Sequence, residues 1–180
     1  MNTVSRSRST DQRYYGIAEA IVTEVRNDGH VKVTYPWFNE DMVSEWARVA
    51  QFFAGPDHGA FFIPEVGSEV VVAFIHGDMR FPVILGGFFN GKDLPPGTDT
   101  ELDTHVRHRR IQTPSGQRLS FFDPESASAT GGIEIENSNG DAITMSTNGT
   151  MRLKCSGAFI VEAAVVSLNG RILTPNANPL

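Results

Sequence analysis

From His105 onward the chain breaks into short alternating pieces, IEIENSNG, DAITMSTNG, TMRLKCSG and AFIVEAAVVSLNG. Each ends on a glycine: Gly140, Gly149, Gly157 and Gly170, at intervals of nine, eight and thirteen. A short strand closed by a glycine turn and repeated at near-constant spacing is the pattern of a β-solenoid or β-prism. The glycines are read as the corners, where a side chain would clash. No single piece is long enough to bury its own apolar face. Ile133 with Ile135, Ile143 with Met145, and Met151 with Leu153 are the candidate inward residues. The alternation slips after Ala163, so the register there is left open. The region is thin in large apolar groups, and a monomeric solenoid of a few rungs would be marginal. Three chains wrapped around one axis would share a core, so a homotrimer is expected.

The preceding part is also β-rich but differently patterned. YYGIAEAIVTEVR (residues 14–26) reads as a strand through Ile17, Ile21, Val22 and Val25. Asn27-Asp28-Gly29 supplies a hairpin turn, since Gly tolerates positive φ. In the next strand Val31, Val33 and Tyr35 alternate with His30, Lys32 and Thr34, the period of a half-buried strand, and Pro36 ends it. SEWARVAQFF (44–53) fits helix or strand and is read as strand from its neighbours. EVVVAFIH (69–76) is a buried strand by its β-branched and aromatic content, and PVILGGFF (82–89) is another. Five or six short strands in residues 14–91 imply a small closed barrel, because closure removes exposed edges. The expected division is a flexible basic tail at 1–13, a barrel at 14–92, a linker at 93–104 and a trimeric β-helix at 105–180.

The net charge of -6 argues against nucleic acid or anionic membrane as a partner. The single Cys155 excludes an internal disulfide and a multi-cysteine zinc site, and a buried thiol is its expected state. MNTVSRSRSTDQR lacks the apolar core of a signal peptide, and no apolar run approaches membrane-spanning length. Synthesis in the cytoplasm without a signal peptide is the expectation.

A resemblance is carried by Tyr35-Pro36-Trp37, SEWARVA (44–50), GPDHG (55–59), FIPEVG (62–67), Glu69-Val70 with Val72-Ala73-Phe74, Gly77-Asp78, PVILG (82–86) and Asn90-Gly91-Lys92. Together these span residues 16–92 and resemble the phage baseplate assembly protein V family and the equivalent domain of VgrG, the type VI secretion spike. A weaker likeness, IQTPSGQRLSFFD (111–123), resembles that family's entry into its β-helix. The resemblance implies an all-β chain: an oligonucleotide/oligosaccharide-binding (OB) barrel, then an intertwined trimeric β-helix. It implies a membrane-piercing central spike of a contractile tail or tail-like particle, in transient contact with a target envelope. The implied partners are a baseplate hub protein above the barrel and a small conical PAAR-repeat protein at the tip. Departures from relatives are the lack of a lysozyme-like insert, of a hub domain before the barrel, of an effector domain after the helix and of a His-x-His iron site.

The residues expected to matter are structural. Tyr35, Pro36, Trp37 and Trp46 organise the barrel, and Gly140, Gly149, Gly157 and Gly170 the corners. Ile172 and Leu173 close a last rung, Pro175 blocks further pairing, and Leu180 sits at a blunt tip that receives the cap. Catalytic, cofactor and metal sites are expected to be absent. Glu40, Asp41 and Glu45 are acidic but placed in an exposed loop, without the cleft a glycosidase pair needs. Asp57-His58 is read as turn geometry. His105 and His108 stand among Arg107, Arg109 and Arg110, where cations oppose a metal, so a basic collar is the better reading. Trp37, Phe38, Trp46, Phe52 and Phe53 would need interleaved cations to bind bases, and the stretch is acidic. Two other readings stay open: an envelope-degrading hydrolase, and an oligonucleotide- or glycan-binding barrel on a β-stalk.

Overall fold

Val31, Val33 and Tyr35 are fully buried, and the strand they define organises the first half of the molecule. The computed structural model describes residues 13–96, 106–126 and 128–173. They fall into two compact units, Met1–Leu94 and Pro95–Leu180. The fold is all-β, apart from a single 3-10 turn at Ile75–Gly77 among the described residues.

The first unit holds β1 (Ile17–Val25), β2 (Val31–Tyr35), β3 (Asn39–Val43), β4 (Arg48–Val49), β5 (Ala54–Gly55), β6 (His58–Gly59), β7 (Glu69–Phe74) and β8 (Pro82–Gly87). Six of them form one sheet in the order β3-β2-β1-β7-β8-β4, and β5 and β6 form a separate hairpin. The sheet curls back on itself. β4 lies parallel to β8, while Ala47, one residue earlier, exchanges backbone hydrogen bonds of 3.0 and 2.8 Å with Val31 of β2. Ala18, Ala20, Val22, Val31, Val33, Tyr35, Val70, Val72, Phe74, Ile84 and Ala47 fill the interior.

The strand read at β1 is present, and the reading of SEWARVAQFF is corrected. In β1 the inward residues are Ala18, Ala20 and Val22, while Ile17 and Val25 are exposed. The cause is parity. β1 pairs in register with β7 from Ile17 to Ile21, which puts the even positions inside opposite Val70 and Val72. A register shift between Val22 and Glu24 then pairs Val25 with Val31, so Val25 is exposed as the last residue of the strand and not by parity. In SEWARVAQFF only Arg48–Val49 form a strand. The remainder is held in part by Gln51, whose Nε2 donates to the Phe62 carbonyl at 3.0 Å while its Oε1 accepts the Phe62 amide at 3.1 Å. A side-chain clamp has replaced a ladder there.

The second unit is an antiparallel meander of β9 (His108–Gln112), β10 (Arg118–Phe122), β11 (Gly132–Glu136), β12 (Ala142–Ser146) and β13 (Met151–Lys154), followed by a hairpin of β14 (Val166–Leu168) and β15 (Arg171–Leu173). Gly140, Gly149 and Gly170 sit in the tight turns with φ of 81°, 86° and 75°, which L-residues rarely adopt. Gly157 is outside that region and lies in the strand-free stretch between β13 and β14. Within one chain this unit is a meander and a hairpin.

Candidate functional site

Among the described residues, the groups that could mediate assembly lie on two surfaces. Tyr14, Tyr35, Trp37, Phe38 and Phe74 form a contiguous aromatic group with centroid separations of 5.5 to 6.3 Å. Pro36 opens the turn after β2, closed by the Phe38 amide donating to the Tyr35 carbonyl at 2.9 Å. The turn brings Trp37 over β1. There its Nε1 donates to the Glu19 carbonyl at 3.0 Å, and the Tyr14 hydroxyl donates to the Ile17 carbonyl at 3.3 Å. The first half of β1 pairs with β7 alone, so these two rings supply donors that a second strand would otherwise give. Trp37 remains 47% exposed. Burial pushes the Tyr35 phenol up to about 12, with the neighbouring Ser44 side chain opposing. Trp46 lies under two cations: the Arg26 guanidinium is 4.9 Å and the Lys32 ammonium 4.7 Å from its ring centroid. Arg26 also pairs with Asp28, and that contact holds the Asp28 carboxyl far below its usual range.

The second unit has two unlike faces. Cross-strand register aligns Ile111, Leu119, Ile135, Ile143 and Leu153 in one row, and Phe121, Ile133, Met145 and Met151 in the next, with Arg109 at its end. Opposed residues share a face, and positions two apart share it too. Nine apolar side chains therefore cover one side of the sheet, and Ile111, Phe121, Ile135, Ile143, Met145, Met151 and Leu153 are exposed. The reverse side carries the rows Gln112-Arg118-Glu136-Ala142-Lys154 and Arg110-Ser120-Glu134-Thr144-Arg152. Arg118 bonds Glu136 and stands 3.7 Å from Glu134, and Arg110 Nε donates to the Ser120 hydroxyl at 3.1 Å.

Burial, then Glu136, raises the Glu134 pKa, against the pull of Arg118 and Arg110. A carboxyl raised in the folded state contributes stability that is complete below its unfolded value, about 4.3, and is lost as pH rises through the folded value. Glu134→Gln is therefore expected to raise the melting temperature at about pH 7 and to flatten the stability gain of the parent toward about pH 4. Thermal melts at both pH values check this. An unchanged pH profile would show that Glu134 is not the group that titrates.

The groups considered for chemistry are dispersed. Pro56 and Asp57 form the two-residue turn of the β5–β6 hairpin, with Asp57 at φ 57° and His58 Nδ1 2.8 Å from the Pro56 carbonyl oxygen. A cavity of about 540 Å³ lies beside it, lined by Asp28, His30, Arg48, Gln51, His58 and Phe61 among others. Its lining includes no hydroxyl, thiol or amine side chain that a nucleophilic mechanism could use. Glu40 and Asp41 are not in a loop; they belong to β3, which pairs with β2 at a sheet edge. Glu45 is exposed. His108 is on β9 with its ring 4.7 Å from Phe122, edge on, and His105 lies outside the described residues. Among the described residues no cluster of three or more His, Cys, Asp or Glu could hold a metal. Cys155 is exposed, contrary to the buried thiol expected, because it follows the edge strand β13, where no further strand covers it. Ile172 is exposed on β15 and Leu173 ends that strand, whereas Pro175 and Leu180 lie outside the described residues.

Sequence reasoning missed Tyr14, the Glu19 carbonyl and the Arg118–Glu134–Glu136 group. The last was signalled by the alternating Glu134 and Glu136 on a single strand face. The Trp37 contact was not, since it joins residues eighteen apart through a side chain and a backbone atom.

Residues 15–89 match the type VI secretion system/phage-baseplate injector OB domain family. Over 103 residues the chain is 37% identical to the type VI secretion system spike protein VgrG3 of Vibrio cholerae, covering 54% of this chain and 10% of that protein. It is 35% identical over 101 residues to the actin cross-linking toxin VgrG1 of Vibrio cholerae, covering 53% and 9%. It is 35% identical over 95 residues to the spike protein VgrG1c of Pseudomonas aeruginosa, covering 48% and 13%. The chain thus spans about one-tenth of the length of these relatives.

Proposed function

We propose that this chain, whose residues 15–89 match the injector OB domain and which is similar to VgrG spike proteins, is a non-enzymatic homotrimeric spike subunit of a contractile injection particle. The observation that carries the reading is the nine-residue apolar face of β9–β13, backed by a charged reverse face. A sheet apolar on one side must bury that side against something. Three copies facing one axis would do so and place Arg118, Glu134 and Glu136 outward. They would close the β-prism expected from the glycine-punctuated repeats. Cyclic closure uses the same surface on each copy and leaves no apolar edge to propagate.

Force transmission follows from that arrangement. Bonds that run between chains keep any one chain from peeling away under axial load. Sheath contraction would then drive the needle through a target envelope, with a hub protein above the OB unit. A PAAR-repeat protein would cap the end that β15 approaches, reading Ile172, Leu173 and Leu180. The site of action is a phage tail or tail-like particle. The dispersed carboxylates and histidines of the described residues support a mechanical role.

Light scattering on the purified chain is expected to give a mass three times that of one chain, as closed threefold symmetry requires. A clean monomer at micromolar concentration would end the trimeric reading.

A further inference from the structure

Four Asn–Gly pairs occur in the chain: Asn90-Gly91, Asn139-Gly140, Asn148-Gly149 and Asn169-Gly170. Each has the same local chemistry. The glycine amide nitrogen can attack the asparagine side-chain Cγ, forming a C–N bond and expelling ammonia. The amide proton leaves with the ammonia, and a succinimide remains. Water then opens the ring at either carbonyl, giving aspartate or isoaspartate. The net change is amide plus water to carboxylic acid plus ammonia, with no oxidant or reductant. What differs among the pairs is whether the fold leaves the attacking nitrogen and the attacked carbon free to meet.

At Asn90 the attacked carbon is restrained through both side-chain heteroatoms. Its Oδ1 accepts the Lys92 and Asp93 amides at 2.8 and 2.7 Å, and its Nδ2 donates to Glu69 Oε2 at 2.7 Å. At Asn148 the Oδ1 accepts the Thr150 amide at 3.0 Å, and the Gly149 amide donates to the Ser146 carbonyl at 3.0 Å. At Asn139 the side chain makes no hydrogen bond among the described residues, but the Gly140 amide donates to the Asn137 carbonyl at 3.1 Å. At Asn169 neither restraint exists among the described residues: the side-chain amide is unbonded, and so is the Gly170 amide. The space beside Gly170 Cα is open. Asn169 itself is at φ 50°, a region L-residues occupy at a cost. The turn joins β14 and β15, which pair over three residues and with no other strand among those described. Short, isolated pairings open most readily.

We propose that Asn169-Gly170 is a spontaneous deamidation site, that Asn139 and Asn148 follow in that order, and that Asn90 is protected. The product matters locally. Isoaspartate inserts a methylene into the backbone, which a two-residue hairpin turn cannot absorb without losing its register. Modification would therefore release β15 from β14. The OB unit would be spared, since the asparagine side chain of its own Asn–Gly pair is held by three hydrogen bonds. This makes the hairpin an ageing mark on the assembled particle, independent of whether the chain acts as a spike.

The test is peptide mapping by mass spectrometry after incubating the native full chain at mildly alkaline pH, alongside a denatured sample. In the denatured sample all four pairs are expected to lose the amide at similar rates. In the native chain Asn169 is expected to convert at least about tenfold faster than Asn90, a ratio that about 1.4 kcal/mol of extra restraint produces. Asn169→Gln should remove the fastest conversion and leave the other three unchanged. A native ratio below tenfold, or conversion at Asn90 first, overturns the assignment.

Discussion

Ile143→Lys is expected to turn the proposed trimer into a monomer while leaving the OB unit folded. Ile143 is the fourth member of the five-member row Ile111-Leu119-Ile135-Ile143-Leu153, on a strand flanked by β11 and β13. In a single sheet it is 42% exposed, so a lysine there can extend its stem along neighbouring apolar groups and keep its ammonium in water. The isolated chain loses little. Closure of three sheets is another matter, because three ammonium groups would be taken from water together with no partner. Each such burial costs several kcal/mol, and every 1.4 kcal/mol or so is tenfold in affinity. Dissociation should be complete at micromolar concentration by light scattering. Thr144→Lys, one residue along and on the charged face, is the matched control and should keep the assembled mass. If Ile143→Lys assembles as well as Thr144→Lys, the apolar face is not the interface, and the trimeric proposal loses its main support.

The same face shows what the sequence could say. Ile133, Ile135, Ile143, Met145, Met151 and Leu153 were readable as one set because period-two alternation fixes a face whatever the partner strand is. Their environment was not readable: they were expected inward, and within one chain most are exposed. Alternation tells which residues travel together, and the assembly decides what covers them. Cys155 fails for the same reason, lying just past an edge strand. β1 was readable as a strand, though its inward face was not. Its large residues Ile17 and Val25 drew the eye, yet Ala18 and Ala20 face the interior. Tyr35 and Phe74 fill that interior, so small residues across from them suffice, and pairing with β7 fixes the parity. The stretch from Ser44 to Phe53 was ambiguous for a third reason: a side-chain clamp from Gln51 to the Phe62 backbone stands in for strand pairing, and no period reports it. Glu40 and Asp41 were assigned to a loop on polarity alone, but their backbone belongs to the edge strand β3.

Tyr35 gives the sharpest test of the first unit, because two substitutions at one position should diverge. Its ring is fully buried and meets Phe74 at 5.9 Å and Trp37 at 6.3 Å between centroids. It is the largest of the completely enclosed side chains among the described residues. Tyr35→Ala removes that ring from a small interior whose other members are mostly valine and alanine, which cannot expand to fill the gap. Truncating a buried aromatic costs about 3–5 kcal/mol, against a stability of about 5–15 kcal/mol for a domain. The OB unit should therefore melt far below the parent or fail to fold. Trp37 should lose its anchorage too, since it stands on the turn that β2 delivers. Tyr35→Phe keeps the ring and deletes only the hydroxyl, which is buried beside Ser44 without a hydrogen bond of good geometry among the described residues, the Ser44 hydroxyl being engaged by the Val33 amide and the Glu45 carbonyl. Removing an unsatisfied buried polar group is neutral or favourable, so this variant should melt within a few degrees of the parent or above it. Calorimetry of both variants separates the two contributions. If Tyr35→Phe falls as far as Tyr35→Ala, the hydroxyl rather than the ring holds β2 in place. If Tyr35→Ala melts like the parent, the curled sheet does not depend on the side chain at its centre.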